Sequence, residues 1–247
     1  MLLRGRPRSL TVLDYGYFRV HGTPSNGPRD IGLMGALVET DAGERVLIDT
    51  GMPAKYAVDP KAAGAEDGLD GFGVVLSLSK ENLPAAQLAL CGVDRIDLLI
   101  ITHTHIDHIG GLFDFPGVPT VISAPERALP KPLYWSGGQP WDWPDRDWQV
   151  VKEDGVIGPG FEVYLCPGHA PGQLAFRLQL PDTGRVLWVS DAISRPSEVA
   201  EEFDTAWDPK QALTNAKRLL DLEHDLILYG HGPEQWAELK KAPDQYT

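Results

Sequence analysis

Apolar residues recur along the first two-thirds of the chain in short runs separated by Gly, Pro and Asp. Residues 10–13 form one run, and residues 33–38 and 45–48 flank Asp41-Ala42-Gly43, which predicts a hairpin. Residues 96–101 are aliphatic apart from Asp97 and β-branched at both ends, the pattern of a strand buried on both faces. Residues 120–122, 149–152, 161–166, 174–180, 185–189 and 226–229 predict further strands, with Asp182-Thr183-Gly184 turning between two of them. Residues 54–73 carry no clear period and predict a surface loop with one short helix.

Helical spacing is rarer. Residues 81–91 set Leu83, Leu88 and Leu90 among helix formers, with Pro84 in the first turn and Gly92 as the stop. Asp208 and Pro209 open the clearest helix, on which Ala212, Leu213, Ala216, Leu219 and Leu220 share one face. Residues 234–241 predict a short closing helix. Strand-rich layers flanked by helices imply an α/β fold, and the lack of a Pro/Ser linker predicts one domain over residues 1–247.

Composition narrows the function. The chain of 247 residues is 43% hydrophobic and 23% charged, an ordinary globular balance. A net charge of −13 argues against nucleic acid and against anionic membranes as partners. With only Cys91 and Cys166, a disulfide framework or Cys-rich zinc module is excluded. No apolar stretch is long enough to span a membrane and no signal peptide opens the chain, so a cytoplasmic protein is expected. The acidic run 198–204 is expected on a solvated face.

Seven histidines supply the candidate chemistry. The segment Thr102-His103-Thr104-His105-Ile106-Asp107-His108-Ile109-Gly110-Gly111 directly follows the buried strand at 96–101. In extended chain His103 and His105 project to the same side, whereas Asp107 and His108 come after the chain turns. One loop can thus supply two ligands to each of two adjacent cations. Imidazole and carboxylate without thiolate suit zinc, with iron, manganese or cobalt as alternatives. Gly110 and Gly111 let backbone approach the loop closely. Three more candidates stand at strand ends, where sites on layered sheets collect: His169 in Cys166-Pro167-Gly168-His169, Asp191 in Ser190-Asp191-Ala192, and His231 in Gly230-His231-Gly232. A lone strand-end histidine is more often structural than functional, but together these make five His and two Asp, enough for two divalent metal ions. His21 and His224 lack a partner motif and are expected to play ordinary roles.

The ordered pattern His-x-His-x-Asp-His, then Pro-Gly-His, then Asp and a late His, preceded by Asp49-Thr50-Gly51, resembles the metallo-β-lactamase superfamily. The resemblance implies a four-layer αββα sandwich. It also implies that His103, His105 and His169 hold one metal, that Asp107, His108 and His231 hold a second, that Asp191 bridges them, and that Asp49 orients a ligand imidazole. Within the superfamily the chain looks most like the N-acyl homoserine lactonases, through Asp49-Thr50-Gly51-Met52-Pro53, Glu81-Asn82-Leu83-Pro84 and the segment 203–209 after Asp191-Ala192. With 16 residues after His231, the C-terminal helical domain of the glyoxalase II thioesterases is not expected. Many of these lactonases carry a tyrosine where this chain has Ser194. Tyr134 is the candidate replacement hydroxyl, or the substrate differs.

Two cations ~3.5–4 Å apart can acidify a shared water, which attacks a carbonyl. A lactone carbonyl is the expected target, with catalytic Asp107 moving the proton to the leaving alkoxide. The expected partner is therefore a small-molecule ester or lactone. The alternative is another hydrolase of this fold, acting on a different lactone, a thioester, a β-lactam or a phosphodiester. Residues 134–148 hold Tyr134 and four of the seven tryptophans, Trp135, Trp141, Trp143 and Trp148, punctuated by Gly137, Gly138, Pro140 and Pro144. They form either an apolar wall over the metals or a pinned loop or subunit contact, the last consistent with a homodimer. Phe18, His21 and Met34 are candidates for a second wall.

Overall fold

The computed structural model describes residues 1–22, 27–135 and 139–247. Gly137 and Gly138 lie outside the described residues. The first sheet contains β1 (Pro7–Val20), β2 (Arg29–Thr40), β3 (Arg45–Ile48), β4 (Gly73–Ser77), β5 (Leu98–Ile100), β6 (Thr120–Ser123) and β7 (Trp148–Val151), in the order β4-β1-β2-β3-β5-β6-β7. The second contains β8 (Gly155–Gly158), β9 (Phe161–Leu165), β10 (Leu174–Leu180), β11 (Gly184–Ser190) and β12 (Leu226–Tyr229), in the order β12-β11-β10-β9-β8. The helices are α1 (Pro60–Asp67), α2 (Pro84–Leu90), α3 (Ile106–Ile109), α4 (Ala124–Arg127), α5 (Pro209–Leu220) and α6 (Pro233–Glu238). None is long and apolar enough to cross a membrane among the described residues.

Strand periodicity builds the layers. Val46, Ile48, Leu98 and Ile100 of the first sheet pack with Phe161, Phe176, Leu178 and Trp188 of the second in one core. The intervening residues Leu47 and Leu99 turn the opposite way, joining Tyr56, Ala63 and Leu88 from the segments that cover that face. Leu187 and Val189 likewise face Ala212, Ala216 and Leu219 of α5. The expected αββα sandwich is therefore observed: two sheets share an inner core, and each carries helices on its outer face.

Several boundaries differ from the sequence pattern for identifiable reasons. β1 and β2 extend well beyond their apolar runs because they pair along their length, with irregular register between Asp14 and Gly16. β4 and β8 were not predicted. Both are edge strands, and Val74, Leu76 and Val156 are exposed, so neither shows an alternating pattern. α2 begins at Pro84, not residue 81, because Leu83 before the proline is extended at ψ 147°. Residues Lys80–Asn82 form a separate 3₁₀ turn. α6 stops at Glu238, since Leu239 is extended at ψ 139°. α5 has the predicted start: the Asp208 carboxylate accepts from Gln211 N–H, with Pro209 first in the helix.

Candidate metal centre

The site lies where β3, β5, β9, β11 and β12 end. Beyond β5 the chain bends at Thr102, is extended at His105 and then makes the single turn of α3. This stretch brings His103 Nε2 to 2.9 Å from His105 Nδ1, and His169 Nε2, arriving from the second sheet, is 3.0 Å from the same Nδ1. The turn re-aims Asp107 and His108. Asp107 Oδ2 is 3.5 Å from His108 Nε2 and 3.4 Å from His231 Nε2. Asp191 joins the two groups: Oδ1 is 3.5 Å from His108 Nε2, and Oδ2 is 3.3 Å from His169 Nε2 and 3.0 Å from His231 Nε2. All seven residues singled out in the sequence thus converge, and their donor atoms fall into groups able to hold a metal ion, His103–His105–His169, Asp107–His108–His231 and His103–His108–Asp191.

The donor chemistry fits divalent cations. His108 Nε2 and Asp191 Oδ1 are buried without a hydrogen-bond partner among the described residues, a costly state unless another group meets them. The other nitrogen of each of two key rings is already fixed: His108 Nδ1–H donates to Asp49 at 2.8 Å, and His231 Nδ1–H donates to the Gly32 carbonyl at 2.8 Å. In its neutral form each ring then presents the Nε2 lone pair to a cation. Asp49 also accepts from the N–H and the hydroxyl of Thr102, each at 2.8 Å. Asp49, Ser190 and Tyr134 hold positive φ angles of 61°, 46° and 53°, so strained backbone clusters beside the ligands.

Electrostatics divide the rings. Burial, aided by the neighbouring imidazoles, keeps His103 well below its ordinary value and His105 at about 3. Burial also lowers His169. For His108 burial acts downward too, but Asp107, Asp191 and Asp49 outweigh it and raise the ring to about 10. His231 rises against burial to about 9 beside Asp191 and Asp107. Burial opposes ionisation of Asp191, yet His231, His108 and His169 hold it well below the carboxylate range.

Gly110 and Gly111 act as expected. A Cβ on Gly110 would lie 2.3 Å from Pro53 N, and one on Gly111 2.7 Å from the Thr50 carbonyl. The ligand loop is thereby stacked on the Asp49-Thr50-Gly51 turn.

A cavity of about 440 Å³ opens on to His105, Asp107, His169, Asp191 and His231. Its apolar lining includes Phe18, Ile31, Leu33, Met52, Phe72 and Trp135, with Ser194, Arg195 and Glu198 as polar counterparts. Several expectations need correction here. Tyr134 is only 2% exposed and does not line the cavity; its hydroxyl donates to Asp67 at 3.1 Å. The side-chain hydroxyls that line the cavity belong to Ser194 and Thr205. Met34 packs between the sheets and His21 is absent from the lining, so only Phe18 of that trio forms a wall. Of the four clustered tryptophans only Trp135 reaches the cavity. Trp141 packs on Phe113 and Tyr134, and Trp143 on Trp148 and under Arg127, which pins the loop. The acidic run is not wholly solvated: Glu198 is 7% exposed and accepts from Ser194 N–H, and Phe203 is buried.

Sequence reasoning passed over Glu126, which is fully buried and reaches Thr104. Its signal was the Ser-x-x-Glu spacing from Ser123, a helix-start pattern.

Residues 35–231 match the family model of the metallo-beta-lactamase superfamily. The chain belongs to the metallo-β-lactamase superfamily. Among superfamily relatives, the N-acyl homoserine lactonase of Bacillus thuringiensis is 30% identical over 217 residues, covering 84% of each chain. The N-acyl homoserine lactonase AttM of Agrobacterium fabrum is 29% identical over 237 residues, covering 85% of this chain and 86% of AttM. An AiiA variant from B. thuringiensis, solved with N-decanoyl-L-homoserine at its active site, shares the fold at a TM-score of 0.84 with 24% identity, over 98% of this chain and 100% of AiiA. AidC, described as a dizinc quorum-quenching lactonase, shares it at 0.62 with 18% identity, over 93% of this chain and 91% of AidC.

Proposed function

We propose that this superfamily member is a metal-dependent hydrolase that opens the lactone ring of N-acyl homoserine lactones, a quorum-quenching activity. The observation that carries the reading is the position of Asp191, within 3.5 Å of three imidazole nitrogens drawn from both ligand groups, at a cavity whose lining is largely apolar. That pairing suits a substrate with one hydrolysable polar head and one apolar chain. The names of the curated relatives support the same substrate class. His103, His105 and His169 would hold one cation, Asp107, His108 and His231 the other, with Asp191 shared.

Two divalent cations, zinc by the donor set with iron, manganese or cobalt as alternatives, supply Lewis-acid polarisation of a carbonyl and acidify water near neutral pH. The chain's own residues do the rest. Asp107 lines the cavity with part of its carboxylate in reach of solvent, so it can carry the proton that water loses to the departing ring oxygen. Water adds to the carbonyl carbon, the ring C–O bond breaks, and a hydroxy acid results. Phe18, Met52, Phe72 and Trp135 would hold the acyl chain away from water, and the Ser194 hydroxyl can meet a substrate oxygen near Asp191. Each ligand group draws on both sheets, which supports reading residues 1–247 as one domain.

A pH-indicator screen across homoserine lactones, other lactones, thioesters, β-lactams and phosphodiesters tests this reading, alongside elemental analysis. The expected result is two cations per chain and fastest turnover of an acyl homoserine lactone. Faster turnover of another ester class, or fewer than two cations per chain, would overturn it.

A further inference from the structure

Glu126 is an acid with no exposed surface and no place in either ligand group. It sits on α4, where Ser123 caps the helix by accepting from Glu126 N–H. The side chain does not turn back to that cap, as the Ser-x-x-Glu spacing would allow. It points inward and binds two separate loops. Oε2 accepts from the Thr104 N–H at 3.1 Å and from the Thr104 hydroxyl at 2.5 Å, and Oε1 accepts from the Gly172 N–H at 3.1 Å.

Those two loops carry one ligand group. Thr104 stands between His103 and His105, and Gly172 follows His169 in the same turn. Thr104 is held from its other side as well. Its hydroxyl accepts from Leu133 N–H at 2.9 Å and its carbonyl from Tyr134 N–H at 2.7 Å. Gly172 can come this close only as glycine, since a Cβ there would lie 1.9 Å from Ser123 Oγ and 2.8 Å from Glu126 N. The other ligand group leans on different supports, Asp49 for His108 and the Gly32 carbonyl for His231. A buried carboxylate is costly unless hydrogen-bonded, and here the donors come from the two segments that must stay in register.

We propose that Glu126 is a positioning residue that locks the His103–His105 segment to the His169 turn, and so controls retention of the cation at that ligand group but not at Asp107–His108–His231. This rests on the two-cation reading above.

The test is a chelator titration of the zinc-loaded protein, with bound zinc counted by elemental analysis. Glu126→Gln keeps the size of the side chain but cannot accept from both loops. It is expected to release one zinc at a chelator concentration at least about tenfold lower than the unaltered protein, in line with losses of 10–100-fold for groups that orient ligands. The second zinc should leave at the unaltered concentration. Asp49→Asn should weaken one zinc as well, and the double variant should lose both, because the two substitutions act on different ligand groups. Thr104→Val, which removes the hydroxyl that donates to Glu126 and accepts from Leu133 N–H, gives the same zinc readout if Glu126→Gln does not fold. Release of both zincs together, or at the parental concentration, overturns the proposal while leaving the two-cation reading intact. A parent that binds fewer than two zincs overturns that reading and this inference with it.

Discussion

The backbone of Gly230 lies against the carboxylate of Asp191: a Cβ on Gly230 would be 2.4 Å from Asp191 Oδ1 and 2.7 Å from the Ser190 carbonyl oxygen. β12 and β11 run parallel and deliver these residues side by side. The glycine gives Asp191 room to stand between the two ligand groups. Gly230→Ala should push Asp191 aside, costing about 1–3 kcal/mol of stability as an overpacked substitution. Chemical denaturation measures that cost, and zinc content should fall with it. An alanine variant with parental zinc content would contradict the packing argument.

Removing the cations should expose a characteristic pH profile. His103, His105 and His169 are lowered in the folded protein, His105 to about 3. The unfolded chain then binds more protons below about pH 6.5, so stability falls as the pH drops under that value. His108 and His231 are raised to about 10 and about 9. Their contribution is fully present below about pH 6.5 and is lost as the pH rises through 9 and 10. The cation-free protein should therefore melt highest near pH 6.5 and lose stability progressively from there to about pH 10. Adding zinc at a hundred times its Kd should contribute about 2.7 kcal/mol per bound cation at neutral pH. A melting temperature that climbs beyond pH 10, or that ignores zinc, would count against this account.

Asp107→Asn should lower kcat on a lactone by about 10²–10⁴, the usual scale for a lost proton transfer. A thiolactone, whose thiolate leaves without a proton, should suffer far less. Zinc content must be measured in parallel, because Asp107 also belongs to a ligand group. Equal losses on both substrates, or undiminished turnover, would remove Asp107 from the proton path.

Trp135 and Phe72 meet with ring centroids 4.7 Å apart on the cavity wall. Trp135→Ala should cut kcat/KM for a decanoyl homoserine lactone by about tenfold, equivalent to about 1.4 kcal/mol. An acetyl analogue, too short to reach the wall, should change little. Similar losses for both chains would mean that Trp135 supports the fold and not the substrate.

The seven candidate ligands were legible because their placement follows local rules. His103 and His105 share a side through strand period, and Asp107 and His108 follow one turn later. His169, Asp191 and His231 each stand just beyond a readable apolar strand. The layers were equally readable where burial on both faces made runs such as Leu98–Ile100 continuous. β4 and β8 were not, because apolar Val74, Leu76 and Val156 occupy exposed positions and erase the alternation of a one-sided strand.

Neighbours along the chain suffice to pick out the candidate donors, their order and the strands that present them. Only the tertiary structure decided how distant strand ends meet: that Asp191 stands between both ligand groups, that Ser194 and not Tyr134 reaches the cavity, and that Glu126 turns inward to tie two loops. The reason is physical. A side chain's direction in an irregular segment is set by which buried donors and acceptors must be satisfied across the core, and those partners lie far away in sequence.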